Sequence, residues 1–176
     1  QHALGLKCGA FDVNAACSGF VYALTIAHGL IAMGANKVLV IGTDTLSRIT
    51  DWSDRNTAVL FADGSGAVVL EAVDGPGQML AWDIDADGSA EDALYADLGG
   101  FIKMEGKEVF RRAVRIMVDS AQKSLSAAGL KSADIDVVIP HQANMRIIET
   151  MAKEMGMPDS VVIADDVRVN GNTSAA

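Results

Sequence analysis

The sequence predicts an α/β fold in two halves, on three observations. Helix-like and strand-like segments alternate along the chain, single glycines stop the helices, and one succession of elements occurs twice. The chain has 176 residues, 50% of them hydrophobic and 21% charged, which is enough to bury a core and excludes a disordered chain. A net charge of −9 argues against a nucleic-acid binder, whose affinity rests on Lys and Arg at phosphates. Two cysteines, Cys8 and Cys17, are too few for a disulfide scaffold and point to a reducing cytoplasm.

Residues 11–14 are apolar enough for a short strand, ending at the small-residue run Ala15-Ala16-Cys17-Ser18-Gly19. Residues 18–33 are apolar nearly all round and predict a buried helix, which Gly34 closes. Residues 37–41 (KVLVI) form a continuous β-branched run, the pattern of a strand covered on both faces. Residues 58–61 and 67–71 predict a hairpin around Ala62-Asp63-Gly64-Ser65-Gly66, with the glycines supplying positive φ. The composition then shifts to Gly and Asp. This places a junction near residues 73–80 and divides the chain into 1–75 and 76–176.

Residues 108–128 have helical spacing, with Val109, Ala113, Ile116, Met117, Ala121 and Leu125 on one side and Gly129 as the stop. A buried strand over 134–139, a loop Pro140-His141-Gln142-Ala143-Asn144, a helix over 145–155 and a strand over 161–164 complete the order. The run AMGANK-VLVIG-TDT in the first half is echoed by AAGLKSAD-IDVVI-PHQAN in the second, a hint of duplication. The longest apolar run, 20–35, is too short and interrupted to cross a bilayer. No targeting leader opens the chain and both ends read as cut, so an internal piece of a longer protein is expected.

Three side chains carry chemistry. Cys17 sits where a strand gives way to a helix, and a helix N-terminus is expected to lower a thiol pKa and to stabilise an oxyanion. His141 follows a strand directly, the position from which α/β sheets present ligand groups, with Gln142 and Asn144 beside it. Asn172 lies in Gly171-Asn172-Thr173-Ser174, which read alone is a turn. Together a cysteine can carry an acyl group while the imidazole N–H and the carboxamide hold a developing enolate oxygen.

The segments FDVNAACSGF, RNTAVLFADGSGAVVLE, VFRRAV, IPHQANMRII and GNTSAA, in this order, resemble β-ketoacyl-acyl-carrier-protein synthase III. These are the initiating condensing enzymes of type II fatty-acid synthesis, in the thiolase superfamily. Elongating condensing enzymes carry Cys–His–His, and thiolases a second cysteine near a GHP motif; neither pattern is present. The resemblance implies duplicated thiolase-like α/β halves in αβαβα layers, and a homodimer. It implies a decarboxylative Claisen condensation of a short acyl-CoA with malonyl-acyl-carrier-protein, with no cofactor and no metal. By the same resemblance Cys17 is the acyl-accepting nucleophile, and His141 and Asn172 stabilise the enolate. Arg55 contacts the adenine end of coenzyme A, and Phe61, Gly106, Phe110, Ala143 and Asn144 line the pantetheine tunnel and site. Arg111, Arg146 and Lys153 dock acyl carrier protein, and Arg111, Arg112 and Arg115 fall within about one helical turn as a positive patch. The segment before Asn172 is one residue longer than the family's usual spacing.

Competing readings are a polyketide- or quinolone-type condensing enzyme with the same triad, a non-catalytic partner subunit, and a cysteine hydrolase. The retained triad speaks against the partner subunit, and AACSGF lacks the C-G-[SA]-C-[WY] pattern of papain-like proteases. Asp83, Asp85, Asp87 and Gly88 match the start of a calcium loop, but Leu94 stands where a bidentate Glu is needed.

Overall fold

A computed structural model describes residues 1–176. Strand β1 (Lys37–Thr45) pairs antiparallel with β2 (Asp63–Glu71) over nine residues, from Lys37 opposite Glu71 to Thr45 opposite Asp63. Lys37 and Glu71 close the open end with an ion pair of 2.9 Å. Helix α1 (Gly19–Ala32) packs on β1. Two-residue strands β3 (Leu94–Tyr95) and β4 (Lys103–Met104) pair antiparallel and lead into α2 (Gly106–Ala128). Strand β5 (Val137–Val138) pairs parallel with β6 (Val162–Ile163) across α3 (Met145–Glu154), and the short α4 (Val167–Asn170) follows.

The helices form where periodicity predicts them. Gly129 takes φ 71°, the left-handed stop that ends α2, and Asn144 caps α3 by accepting the Arg146 N–H at 2.9 Å. Val118, Met151 and Met155 make the core between α2 and α3, with Met117, Ala121, Leu125, Val138 and Met157 packed around them. Ile116, expected on the packed side, is exposed; Val114 and Val118 are the buried positions of α2.

The strand expectations are corrected in three places. Residues 11–14 form no strand, because no neighbouring strand offers them a ladder. The hairpin does not join 58–61 to 67–71: residues 58–60 are a turn, residues 63–66 lie inside β2, and its partner is β1. Gly64 and Gly66 therefore do not supply positive φ; at Gly64 the missing side chain serves close packing instead. Finally, β1 is covered on one face only, since Val40 is buried while Leu39 and Ile41 remain exposed.

An apolar hollow of about 1230 Å³ opens between α1, residues 78–87, α2 and β5. The same uncovering leaves α1 and β5 less buried than their apolar sequences predict, with Val21 and Val137 both exposed. No helix is long and apolar enough to cross a membrane.

Candidate active site

Cys17 occupies a single 3-10 turn, Ala16–Ser18, that feeds α1. The residue before it, Ala16, has φ 46°, a left-handed conformation that a β-carbon disfavours. Asn14 holds this turn by accepting the Ala16 N–H at 3.1 Å. The chain is thus kinked immediately ahead of the thiol, the kind of local strain that surrounding structure must impose.

The segment after α4 comes to meet it. Gly171 takes φ 73°, and a β-carbon there would lie 3.2 Å from the Leu60 carbonyl oxygen. Asn172 then forms an isolated parallel bridge with Phe61: its N–H donates to Leu60 at 2.8 Å and its carbonyl accepts from Ala62 at 2.9 Å. Residues 173–176 lie over the glycines of β1 and β2. A β-carbon at Gly42 would run into the Ala175 carbonyl, and one at Gly64 would sit 2.7 Å from Thr173 Cβ. Gly42 faces Gly66 across the ladder, so main chain rests on main chain. Asp44 anchors the end of the segment by accepting the Ala175 N–H at 3.0 Å.

These placements tie the thiol to the carboxamide. Ser174 donates from Oγ to Cys17 Sγ at 3.7 Å, and its own N–H donates to Asn172 Oδ1 at 2.9 Å. Asn172 and Ser174 are both buried. With its oxygen taken by Ser174, the Asn172 amide nitrogen makes no hydrogen bond within the chain and stays a donor. His141 follows β5 in a half-buried position, and its imidazole also makes no hydrogen bond within the chain.

The electrostatics correct one expectation. The Cys17 thiol is raised, not lowered: burial is the main cause and the Asp44 carboxylate adds to it, while the Ser174 hydroxyl opposes both. A half-buried thiol on a 3-10 turn beside an acidic side chain is not at the open α-helix N-terminus that favours a thiolate. Burial also pushes the His141 imidazole below its ordinary value, so the neutral form, which carries one N–H donor, is favoured near neutral pH.

The profile of 3-oxoacyl-[acyl-carrier-protein (ACP)] synthase III matches residues 11–88, and the profile of its C-terminal part matches residues 125–176. The chain belongs to this synthase III family. It is 51% identical over 190 residues to the β-ketoacyl-[acyl-carrier-protein] synthase III of Cereibacter sphaeroides, a match covering 100% of this chain and 58% of that one. The crystal structure of 3-oxoacyl-[acyl-carrier-protein] synthase III from Aquifex aeolicus superposes with a TM-score of 0.93 at 45% identity, over 99% of this chain and 57% of that one. The priming β-ketosynthase of the R1128 polyketide pathway gives a TM-score of 0.92 at 37% identity, over 99% and 56%. The chain therefore spans somewhat over half the length of the relatives it matches, and its fold is the thiolase-like α/β fold of synthase III.

The remaining positions singled out in the synthase III pattern lie on several different elements. Phe61 is the bridge partner of Asn172. Gly106 and Phe110 lie on the first turns of α2, and Ala143 and Asn144 on the loop entering α3, where Asn144 is the cap. Arg55 is exposed in the turn after β1 and joins no ion pair. Arg146 and Lys153 lie two turns apart on α3, also unpaired and exposed.

The patch on α2 is partly neutralised: Arg111 and Arg112 both pair with Glu108, at 2.8 and 2.6 Å, and Arg112 also pairs with Asp87 at 3.0 Å. Asp83 and Asp85 both face Lys123, so the calcium-like aspartates are engaged with basic side chains. Two contributors escaped the sequence reading, Ser174 and Asp44. Ser174 was legible only as a small residue two places beyond Asn172, and Asp44 carried no local signal.

Proposed function

We propose that the intact protein is an acyltransferase that condenses a short acyl-CoA with malonyl-acyl-carrier-protein to give 3-oxoacyl-acyl-carrier-protein, the opening step of type II fatty-acid synthesis. The observation that carries this reading is the hydrogen-bonded chain from Cys17 through Ser174 to Asn172, which leaves the Asn172 amide nitrogen free to donate. Synthase III membership supplies the substrate classes.

Cys17 attacks the acyl-CoA carbonyl; the acyl group passes to sulfur, and the thiol proton leaves with coenzyme A. Malonyl thioester then loses CO₂, and the electron pair of the broken carbon–carbon bond moves onto the thioester oxygen as an enolate. His141 and Asn172 donate hydrogen bonds to that oxygen. The enolate carbon attacks acyl-Cys17, the new carbon–carbon bond forms, and sulfur is released. Decarboxylation drives the sequence, so the chemistry calls for no metal or redox cofactor.

In this reading Arg55 binds the adenine end of coenzyme A, Phe61, Gly106, Phe110, Ala143 and Asn144 line the channel, and Arg111, Arg146 and Lys153 receive acyl carrier protein. Residues 1–75 and 76–176 belong to the two halves of a cytoplasmic homodimer's subunit. The likeness to the R1128 priming ketosynthase favours one second reading, a polyketide-priming enzyme with the same triad. Incubating the intact protein with a series of acyl-CoAs and weighing the Cys17 peptide tests both. An acetyl or short branched adduct on Cys17 is expected; selective uptake of a dedicated longer primer selects the polyketide reading, and no adduct on Cys17 removes the mechanism.

A further inference from the structure

Gln142 is the one side chain that spans the loop carrying His141 and the segment leading to Asn172. Its Nε2 donates to the Pro140 carbonyl at 2.9 Å and to the Ala164 carbonyl at 3.1 Å, and its Oε1 accepts the Val167 N–H at 2.9 Å. Two carbonyls on one side and an N–H on the other fix which way the amide faces.

The placement is where the backbone ladder runs out. Strands β5 and β6 pair over only two residues each, and the Ala164 N–H to Val138 bond at 3.0 Å is the last of the main-chain rungs. Beyond it the two chains separate, one into Pro140 and His141, the other into residues 165–166 and α4. Gln142 replaces the missing rungs with three side-chain bonds. It grips α4 at its first residue, and α4 ends one residue before Gly171-Asn172.

We infer that Gln142 is a positioning residue that sets the spacing between the His141 imidazole and the Asn172 carboxamide. This rests on the proposed function, in which those two groups share one enolate oxygen. Cys17 is held chiefly by the turn that Asn14 braces, and its one link to Asn172 runs through Ser174. That segment is anchored separately where Asp44 accepts the Ala175 N–H, so acyl transfer to sulfur depends on Gln142 far less than the His141–Asn172 spacing does. The inference therefore separates the two half-reactions.

The test uses the intact protein with Gln142→Met, which keeps the shape and removes all three bonds, and Gln142→Glu, which keeps the acceptor for Val167. Cys17 acylation by acyl-CoA is followed by mass, and malonyl-acyl-carrier-protein decarboxylation by CO₂ release. The expected result for Gln142→Met is a fall in decarboxylation kcat of roughly ten- to a hundredfold, the scale of a misplaced catalytic group. Its KM and its acylation rate should stay within about twofold of wild type. If Gln142→Met does not fold, Gln142→Glu carries the test: its carboxylate keeps the Val167 bond but cannot donate to the two carbonyls, so a loss of similar size confined to the same step is expected. Equal slowing of both half-reactions, or none, overturns the inference. A wild-type protein that neither acylates Cys17 nor releases CO₂ instead overturns the functional reading beneath it.

Discussion

Ser174 Oγ stands 3.7 Å from Cys17 Sγ while the Ser174 N–H holds Asn172 Oδ1, so the sulfur and the carboxamide are registered through one serine. Ser174 itself has φ 61°, and the backbone adopts that conformation with Ser174 buried against the turn that bears the thiol. Replacing Ser174 by Ala removes the only neighbouring side chain that lowers the thiol pKa. Cys17 alkylation by iodoacetamide should move to higher pH, and acylation should slow roughly fivefold, the worth of one hydrogen bond.

Asp44→Asn should do the opposite to the thiol. The carboxamide oxygen still accepts the Ala175 N–H, but the negative charge that raises the Cys17 pKa is gone. The alkylation profile should shift to lower pH. A shift in the same direction as Ser174→Ala would show that loop placement, not charge, governs the sulfur.

Gly42→Ala sets a β-carbon against the Ala175 carbonyl, backbone that has no flexible end to yield. Overpacking of this kind costs about 1–3 kcal/mol, to be read as a lowered midpoint in chemical denaturation. Because residues 172–176 must lift, Cys17 acylation and decarboxylation should fall together, unlike the Gln142 variants.

The His141 imidazole, lowered by burial, gives a signed pH dependence. Its folded-state value lies below the unfolded one, so the unfolded chain binds more protons as pH falls and stability is lost through the range below the ordinary imidazole value of about 6.5. His141→Gln should flatten the loss of stability between neutral and mildly acid pH. In the unsubstituted protein, the decarboxylation rate should hold as pH drops through that value and decline only below it.

Arg146→Glu and Lys153→Glu reverse two unpaired charges on the exposed side of α3. Each should raise the KM for malonyl-acyl-carrier-protein roughly tenfold, diminishing with added salt, and leave acylation by acyl-CoA unchanged. An equal effect on both substrates would remove α3 as the carrier-protein face.

The helices were legible because their signals are local. Gly129 stops α2 and Asn144 caps α3, each within a turn of the residues it serves. The residues proposed for the site stand out in the sequence as loop residues at segment ends, and the family resemblance assigns them their proposed roles. What the sequence concealed was long-range. Gly64 looks like a turn former, but its reason for being glycine lies more than a hundred residues away, in Thr173 and Ala176. The partner of β2 is likewise β1, across a long loop, and no short window of sequence contains both. The direction of the Cys17 pKa was concealed for the same reason, since the burial that chiefly raises it and the Asp44 carboxylate that adds to it arise only in three dimensions.

The bare trough formed by Gly42 and Gly64 sets the reach of mutational drift in this protein. Height above the sheet, for the residues after Gly171, is measured from peptide planes rather than from side chains. Leu39, Ile41 and Val69, which share the opposite face of the ladder, can consequently be exchanged among apolar types without disturbing the chemistry. A single methyl group in the trough is felt at once.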